Sequence, residues 1–315
     1  MITGIPTSDD YKAIGIECLL QAYTNIYEVD TSKTMKNVPR REMWGYHAIV
    51  VRTSIVLVHQ GIESLLKAKI AETTPLLLID QKRGDWKTMP NSSEQNFSDL
   101  YTISGEDLIR TYYACIIPGS VSEEFQAHFE TVRIARNRIV HGVGGKLLSP
   151  DEVLKLILWT FTYLFGQDGF WACFKAKFDN HPGHDANADE IEEVEAFLYD
   201  NLDYLEFVLS KRELNRHFII DITKRRYFCP ECVGGNIIKM GIDGPIEASK
   251  WAFLSPNEPT STAVYCLSCD QTSEVKREDC NQIIKGKQCK GNVLYIENEA
   301  EETSLCLTCL GSQNE

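Results

Sequence analysis

Apolar residues recur every three or four positions from the N-terminus to about residue 211, the spacing of helices that bury one face. A first helix is expected from Ser8, whose hydroxyl can cap it, to about Glu28. A long second helix covers about Arg41 to Ala71. There Ala48, Val51, Ile55, Val58, Ile62 and Leu65 alternate at intervals of three and four, the seam of a helix packed along its length. Thr74-Pro75 ends it, and the stretch to about Ser104 is rich in turn residues. A third helix runs from about Gly105 to Ile116, closed by Pro118-Gly119. A fourth spans about Val121 to Val140, with Gly142 placed to close it in the left-handed conformation. Ser149-Pro150-Asp151-Glu152 combines a capping box with a proline at the first helical position and starts a fifth. After the loop His181-Pro182-Gly183-His184, Asn187 to Glu190 repeats the capping-box logic for a sixth, acidic helix.

After Arg226 the helical period disappears. Glycines and cysteines take over, with short β-type runs such as Asn236 to Lys239 and Asn292 to Ile296 between them. The pattern therefore predicts a mainly α chain. A helical bundle occupies residues 1–211, and a small β-rich region follows in two parts, 216–275 and 276–315.

Composition narrows the function. At 315 residues and 43% hydrophobic the chain can bury a full core, and a net charge of -13 excludes a uniformly basic surface. The charge is uneven. Asp185 to Glu206 carries nine acidic residues and no basic one, whereas Lys211 to Arg226 carries six basic residues against two acidic. Such a local basic strip suits a polyanion. The N-terminus lacks the charged-then-apolar order of a signal peptide. The apolar run Val153 to Phe165 is short and interrupted by Lys155 and Thr160, so it reads as a buried helix. The expected setting is the cytoplasm, with no membrane contact.

Eleven cysteines without an export signal point to metal binding in a reducing compartment. Eight lie in the tail. Cys229/Cys232, Cys266/Cys269 and Cys306/Cys309 are C-x-x-C knuckles, while Cys280 and Cys289 are separated by eight residues. Eight thiolates make two four-cysteine sites for structural Zn²⁺, since four thiolates leave no open position for water. Sequential pairing groups Cys229, Cys232, Cys266 and Cys269, then Cys280, Cys289, Cys306 and Cys309. An interleaved arrangement is also open. The first set resembles a zinc ribbon, and Lys224-Arg225-Arg226 beside its first knuckle suggests RNA contact. Cys18, Cys115 and Cys173 fall in helical segments as small core residues.

The fourth helix carries the most telling stretch, Arg136-Asn137-Arg138-Ile139-Val140-His141-Gly142. Phe125, Phe129, Val132 and Ile139 fall on one side of it, and Arg136 lies within that stripe. An arginine there needs an anion or a wet cleft, because an unpaired buried charge is too costly. The anion is either a carboxylate of the same chain, such as Glu63, or a phosphate. Other Arg/His pairs at similar spacing, Arg212 with His217 and more loosely Arg41/His47 and Arg52/His59, lack this setting.

In this order and context, Arg136-Asn137-x-x-x-His141-Gly142 resembles the HEPN superfamily, over roughly residues 10–180. Gly61-Ile62-Glu63-Ser64-Leu65-Leu66-Lys67-Ala68 is similar to the helix that packs on the motif helix in that family. The resemblance implies an antiparallel bundle of four or five helices and a metal-independent endoribonuclease of the toxin–antitoxin, abortive-infection or anti-phage type. It implies a homodimer with two motifs face to face, and an antitoxin or activating partner. Arg136 would hold the scissile phosphate, His141 would be the acid/base, and Asn137 would orient one of them or the substrate. Arg133 and Arg138 on the flanks, with Lys224, Arg225 and Arg226 in the tail, would hold further phosphates. The alternative is a non-catalytic HEPN scaffold whose ribbons bind nucleic acid or a partner protein.

Overall fold

Thr7 opens the first helix: its hydroxyl accepts from the Asp10 N–H at 3.1 Å, and the Asp10 carboxylate accepts from the Thr7 N–H at 2.8 Å. The cap thus falls one residue before the expected Ser8. The protein is described here from a computed structural model covering residues 1–32, 38–86, 94–115, 122–142, 148–179, 188–234, 240–241, 244–245, 250–298 and 303–314. It divides into two compact units, Met1–Gly169 and Phe170–Glu315.

In the first unit, helix α1 (Ser8–Thr31) is followed by α2 (Arg40–Tyr46), α3 (Ala48–Thr73), α4 (Gly105–Cys115), α5 (Glu123–Val140) and α6 (Pro150–Phe165). A small parallel pair, β1 (Ile2–Thr3) and β2 (Gln95–Asn96), joins the two ends of the early chain. The expected seam is the core: Val51, Ile55, Val58, Ile62 and Leu65 are buried, and α3 packs against α1, α4, α5 and α6. Helices α1 and α3 run antiparallel in close approach. A Cβ on Gly15 would lie 2.6 Å from Leu65 Cγ, and one on Gly61 would lie 2.7 Å from Leu19 Cγ.

The single helix expected over Arg41 to Ala71 is in fact two, broken at His47 (φ -100°, ψ 23°). Asp30 anchors the first of the two. Its buried carboxylate takes both Arg40 Nε and Nη2 at 2.8 Å and Trp44 Nε1 at 2.8 Å, which ties α2 to the end of α1. Arg40 also reaches Asp151 at 2.5 Å, in the first turn of α6. The capping box of Ser149 and Glu152 forms as expected, with Pro150 at the first helical position. Helix α3 is long and apolar enough to cross a membrane by length and composition, and 56% of its most apolar window is buried in the protein.

The second unit begins earlier than composition suggests, at Phe170 instead of beyond residue 211. Helices α7 (Gly169–Asp179) and α8 (Ala188–Val208) belong with the cysteine-rich region. Trp171 Nε1 donates to the Leu267 carbonyl at 2.6 Å, Trp251 Nε1 donates to Asp203 at 2.8 Å, and Tyr199 Oη lies 3.5 Å from Cys266 Sγ. A ribbon of this size has too little apolar surface to build a core alone, and these aromatic side chains complete it. Short helices α9 (Lys211–Asn215) and α10 (Pro230–Gly234) follow.

The strands are β3 (Met240–Gly241), β4 (Gly244–Pro245), β5 (Ala252–Leu254), β6 (Ala263–Cys266), β7 (Thr272–Glu274), β8 (Ile283–Ile284), β9 (Lys287–Gln288), β10 (Leu294–Asn298), β11 (Thr303–Cys306) and β12 (Ser312–Asn314). They form small antiparallel sheets, among them β5-β6-β7 and β10-β11-β12. Those two three-stranded sheets are built alike. In each, the middle strand ends in a cysteine knuckle: Ala252 pairs with Cys266 in one and Leu294 with Cys306 in the other. Cys266 N–H donates to the Gln271 carbonyl and Cys306 N–H to that of Gly311, both at 3.0 Å. The residues after the knuckles, Asp270 (φ 58°) and Leu310 (φ 60°), share the left-handed conformation.

Of the expected β-type runs, Asn292 to Ile296 overlaps β10, and Asn236 to Lys239 lies outside the described residues, as do His181, His184 and Asn187.

Candidate functional site

Two cysteine tetrads occupy the tail, and their grouping is sequential. Cys229, Cys232, Cys266 and Cys269 form one group and Cys280, Cys289, Cys306 and Cys309 the other, with the sulfurs of each group all within 4.8 Å of one another. Cys229 and Cys269 sulfurs are 3.6 Å apart, Cys232 and Cys266 4.0 Å, and Cys280 and Cys309 3.8 Å. A tetrahedron of ~2.3 Å metal–sulfur bonds has edges of about 3.8 Å, so each tetrad fits one tetrathiolate metal ion. All eleven cysteines are free thiols.

The irregular spacing of Cys280 and Cys289 has a structural cause. Strands β8 and β9 form a hairpin between them, pairing Ile283 with Gln288 and Ile284 with Lys287. Lys285 (φ 50°) and Gly286 (φ 77°) make the two-residue turn, whose two positive φ angles match the twist of a tight hairpin. Cys289 N–H donates to the Gln282 carbonyl and Cys280 N–H to that of Gly291, both at 2.8 Å, so both thiols sit at the hairpin base. Crowding raises and lowers these thiols unevenly. Hydrogen bonds from the neighbouring thiols, with burial, hold Cys232 far above the usual range, while the same contacts depress Cys266. Burial pushes Cys280 up to about 11. A bound cation removes these protons and makes all four groups anionic ligands.

The other candidate is the end of α5. Ser122 caps this helix by accepting from the Phe125 N–H at 3.2 Å. Phe125, Phe129 and Val132 are buried as expected, and Arg136 continues their stripe half-buried, as does Ile139. Among the described residues Arg136 makes no ion pair; its Nη1 donates to Asn137 Oδ1 at 3.0 Å. Glu63 is engaged elsewhere, accepting from the Gly105 N–H at 3.5 Å and lying 3.7 Å from His59 Nδ1. Glu63, the candidate partner of Arg136 within the chain, thus serves other contacts. His141 is exposed and caps α5, its N–H bonded to the Asn137 carbonyl at 3.0 Å. Gly142 takes φ +66°, the left-handed close expected of it.

The flanking arginines divide. Arg133 is forked onto Glu130 through two 2.7 Å hydrogen bonds, and Arg138 is exposed. His59, which the sequence offered only in a looser pair with Arg52, lies within the field of Arg136 and Arg133. It is buried, stacked on Phe129 at 6.2 Å, and its Nε2 has no hydrogen-bond partner among the described residues. Burial lowers its pKa; Glu63 opposes the shift, and Arg136 and Arg133 add to it. The readable clue was Glu63, one helical turn after His59. The second Arg/His pair is structural: His217 is buried, and burial pushes it down to about 4.

The basic run beside the first knuckle is mostly engaged within the protein. Lys224 is exposed. Arg225 Nη2 donates to the Lys290 carbonyl at 2.8 Å and to Thr308 Oγ1 at 3.2 Å. Arg226 is forked onto Glu206 at 2.6 and 3.0 Å and lies 3.9 Å from the centre of the Trp251 ring. Arg226 is therefore an internal ion-pair residue and not the surface phosphate contact expected of it. Cys18, Cys115 and Cys173 are half-buried.

Comparison of the chain with protein-family models, curated proteins and solved structures gave no match.

Proposed function

We propose that the chain is a HEPN-like endoribonuclease that cuts RNA through attack of a 2′-hydroxyl on the adjacent phosphate. The observation that carries this reading is the state of Arg136. It is half-buried on a core-facing helix, without an ion-pair partner among the described residues, five residues before an exposed histidine. Asn137 accepts from Arg136 and so orients the guanidinium, whose planar fork suits two phosphate oxygens. In the reaction the 2′-oxygen bonds to phosphorus and the bond to the 5′-oxygen breaks. A proton leaves the 2′-hydroxyl and another reaches the departing 5′-oxygen, leaving a 2′,3′-cyclic phosphate and a 5′-hydroxyl. His141 carries an imidazole, which can both accept and donate a proton, and serves one of these transfers. The same histidine of a second copy would serve the other, which is the reason to expect a homodimer with the α5 helices near its axis. Arg136 offsets the charge that builds on the phosphate.

The tetrads would hold two structural Zn²⁺ ions, through Cys229, Cys232, Cys266 and Cys269 and through Cys280, Cys289, Cys306 and Cys309. Bound zinc supplies cross-links that hold the short sheets together. In this reading the protein acts in the cytoplasm as a toxin or anti-phage effector under a partner's control.

The test is direct. Zinc-loaded protein and its His141→Ala variant are incubated with RNA in EDTA. Cleavage by the wild type and loss of at least a hundredfold in the variant are expected. Equal cleavage by both would move the activity to another site, and none by either would leave the scaffold reading.

A further inference from the structure

A C-x-x-C knuckle places two ligands with two residues between them, as Cys229 and Cys232 show; Cys280 and Cys289 use eight. The extra length goes beyond the two residues that suffice in a knuckle. It builds the β8–β9 hairpin, which leaves apolar side chains in water: Ile283 is 75% exposed and Ile284 43%. From Asn281 to Lys290 there are three lysines, Lys285, Lys287 and Lys290, and no carboxylate, in a chain with a net charge of -13. All three lysines are exposed.

The base of this finger is fixed. Gln282 Nε2 donates to the Ser312 carbonyl at 2.8 Å, and the Asn281 N–H donates to Gln313 Oε1 at 2.8 Å. Gln282 also packs on Gly311, where an added Cβ would come within 2.5 Å of its Cγ. More positive charge gathers beside the base. Arg225 bonds the Lys290 carbonyl, and Lys250 donates to the Thr308 carbonyl at 2.6 Å. A held, cationic hairpin with apolar side chains on an acidic protein suits a flexible polyanion that also carries apolar faces.

We propose that the β8–β9 hairpin is a single-stranded RNA contact, with Lys285 and Lys287 on phosphates and Ile283 and Ile284 against bases. The proposal rests on the nuclease reading for the identity of its partner. It moves the RNA contact of the tail from Arg226, which is engaged internally, to the hairpin between Cys280 and Cys289.

The experiment measures anisotropy of a labelled single-stranded RNA with full-length, zinc-loaded His141→Ala protein, so that cutting does not interfere. Adding Lys285→Glu and Lys287→Glu should weaken binding at least tenfold. Lys285→Gln with Lys287→Gln should lower the slope of log affinity against log salt by roughly 1.4, two phosphate contacts at about 0.7 each for a single strand. Ile283→Ser with Ile284→Ser should weaken binding and leave that slope unchanged. Zinc content of two ions per chain identifies intact variants, and the glutamine pair serves if the glutamate pair loses metal. Unchanged affinity in an intact lysine variant would overturn the proposal. The nuclease reading fails separately: RNA bound through the hairpin but never cut by the wild type would refute cleavage and leave this contact standing.

Discussion

Five N–H donors make a guanidinium costly to bury unless acceptors surround it. Arg226 meets that condition in part: Nη1 and Nη2 bond the two Glu206 oxygens and the guanidinium lies on the Trp251 face, while its buried Nε has no hydrogen-bond partner among the described residues. Arg226→Ala should lower the unfolding free energy by about 2–3 kcal/mol in urea titration, below the ~3–5 of a fully buried pair because Lys211 stays 3.2 Å from Glu206. Arg136 has only the Asn137 amide among the described residues. Arg136→Ala should therefore change stability by less than about 1 kcal/mol while abolishing cleavage, and Arg136→Lys should fold normally and cut poorly. A large drop in melting temperature for Arg136→Ala would make it structural. The sequence set these two arginines apart, and it did not foresee the internal setting of Arg226. Arg136 stood out by its place in an apolar stripe. Arg226 sat in an ordinary basic run, and its partners lie 20 residues before and 25 after it, beyond the reach of local pattern.

Elements were legible where local chemistry decides them. The Ser149 capping box, the α3 seam and the Gly142 stop follow from spacing alone. The break at His47 was not legible, since α2 is held by Asp30 on another helix, and neither was α7, whose Trp171 bonds the knuckle carbonyl of Leu267. The crossing of α1 and α3 gives a clean test. In an isolated helix Gly→Ala stabilises by about 1 kcal/mol, but at Gly61 the new methyl meets Leu19 and the Gly15 carbonyl. Gly61→Ala should destabilise by about 1–3 kcal/mol, read as a lower melting temperature; a higher one would refute the close approach. Acid should also act on this unit. His128 is buried on α5, and burial pushes it down to about 4. Thr160 Oγ1 donates its proton to the Leu156 carbonyl, so it accepts from His128 Nε2 at 2.8 Å and fixes that tautomer. The unfolded chain protonates near pH 6.5, so the contribution of the neutral ring is complete above that pH. It is lost progressively as pH falls toward 4, by roughly 3 kcal/mol. His128→Leu should flatten this part of the stability–pH curve in urea titrations between pH 7.5 and 4.5.

At the scale of the molecule, composition located two units but put their boundary near residue 211, because α8 reads as an ordinary acidic helix; its contacts with Trp251 and Cys266 assign it to the second unit. Elemental analysis should give two zinc ions per chain. Strong chelation should unfold the β-rich region and leave helical signal from residues 1–169, whose core holds no tetrad. One ion would remove the Cys280/Cys289 site. The nuclease itself is tested most directly on a short RNA cut at one position, assayed with and without a single 2′-deoxy substitution there. The expected result is cleavage of the all-ribose strand to a 2′,3′-cyclic phosphate and a 5′-hydroxyl, and no cleavage at the deoxy position. Cleavage that continues past the missing hydroxyl, or products with 5′-phosphate ends, would contradict it.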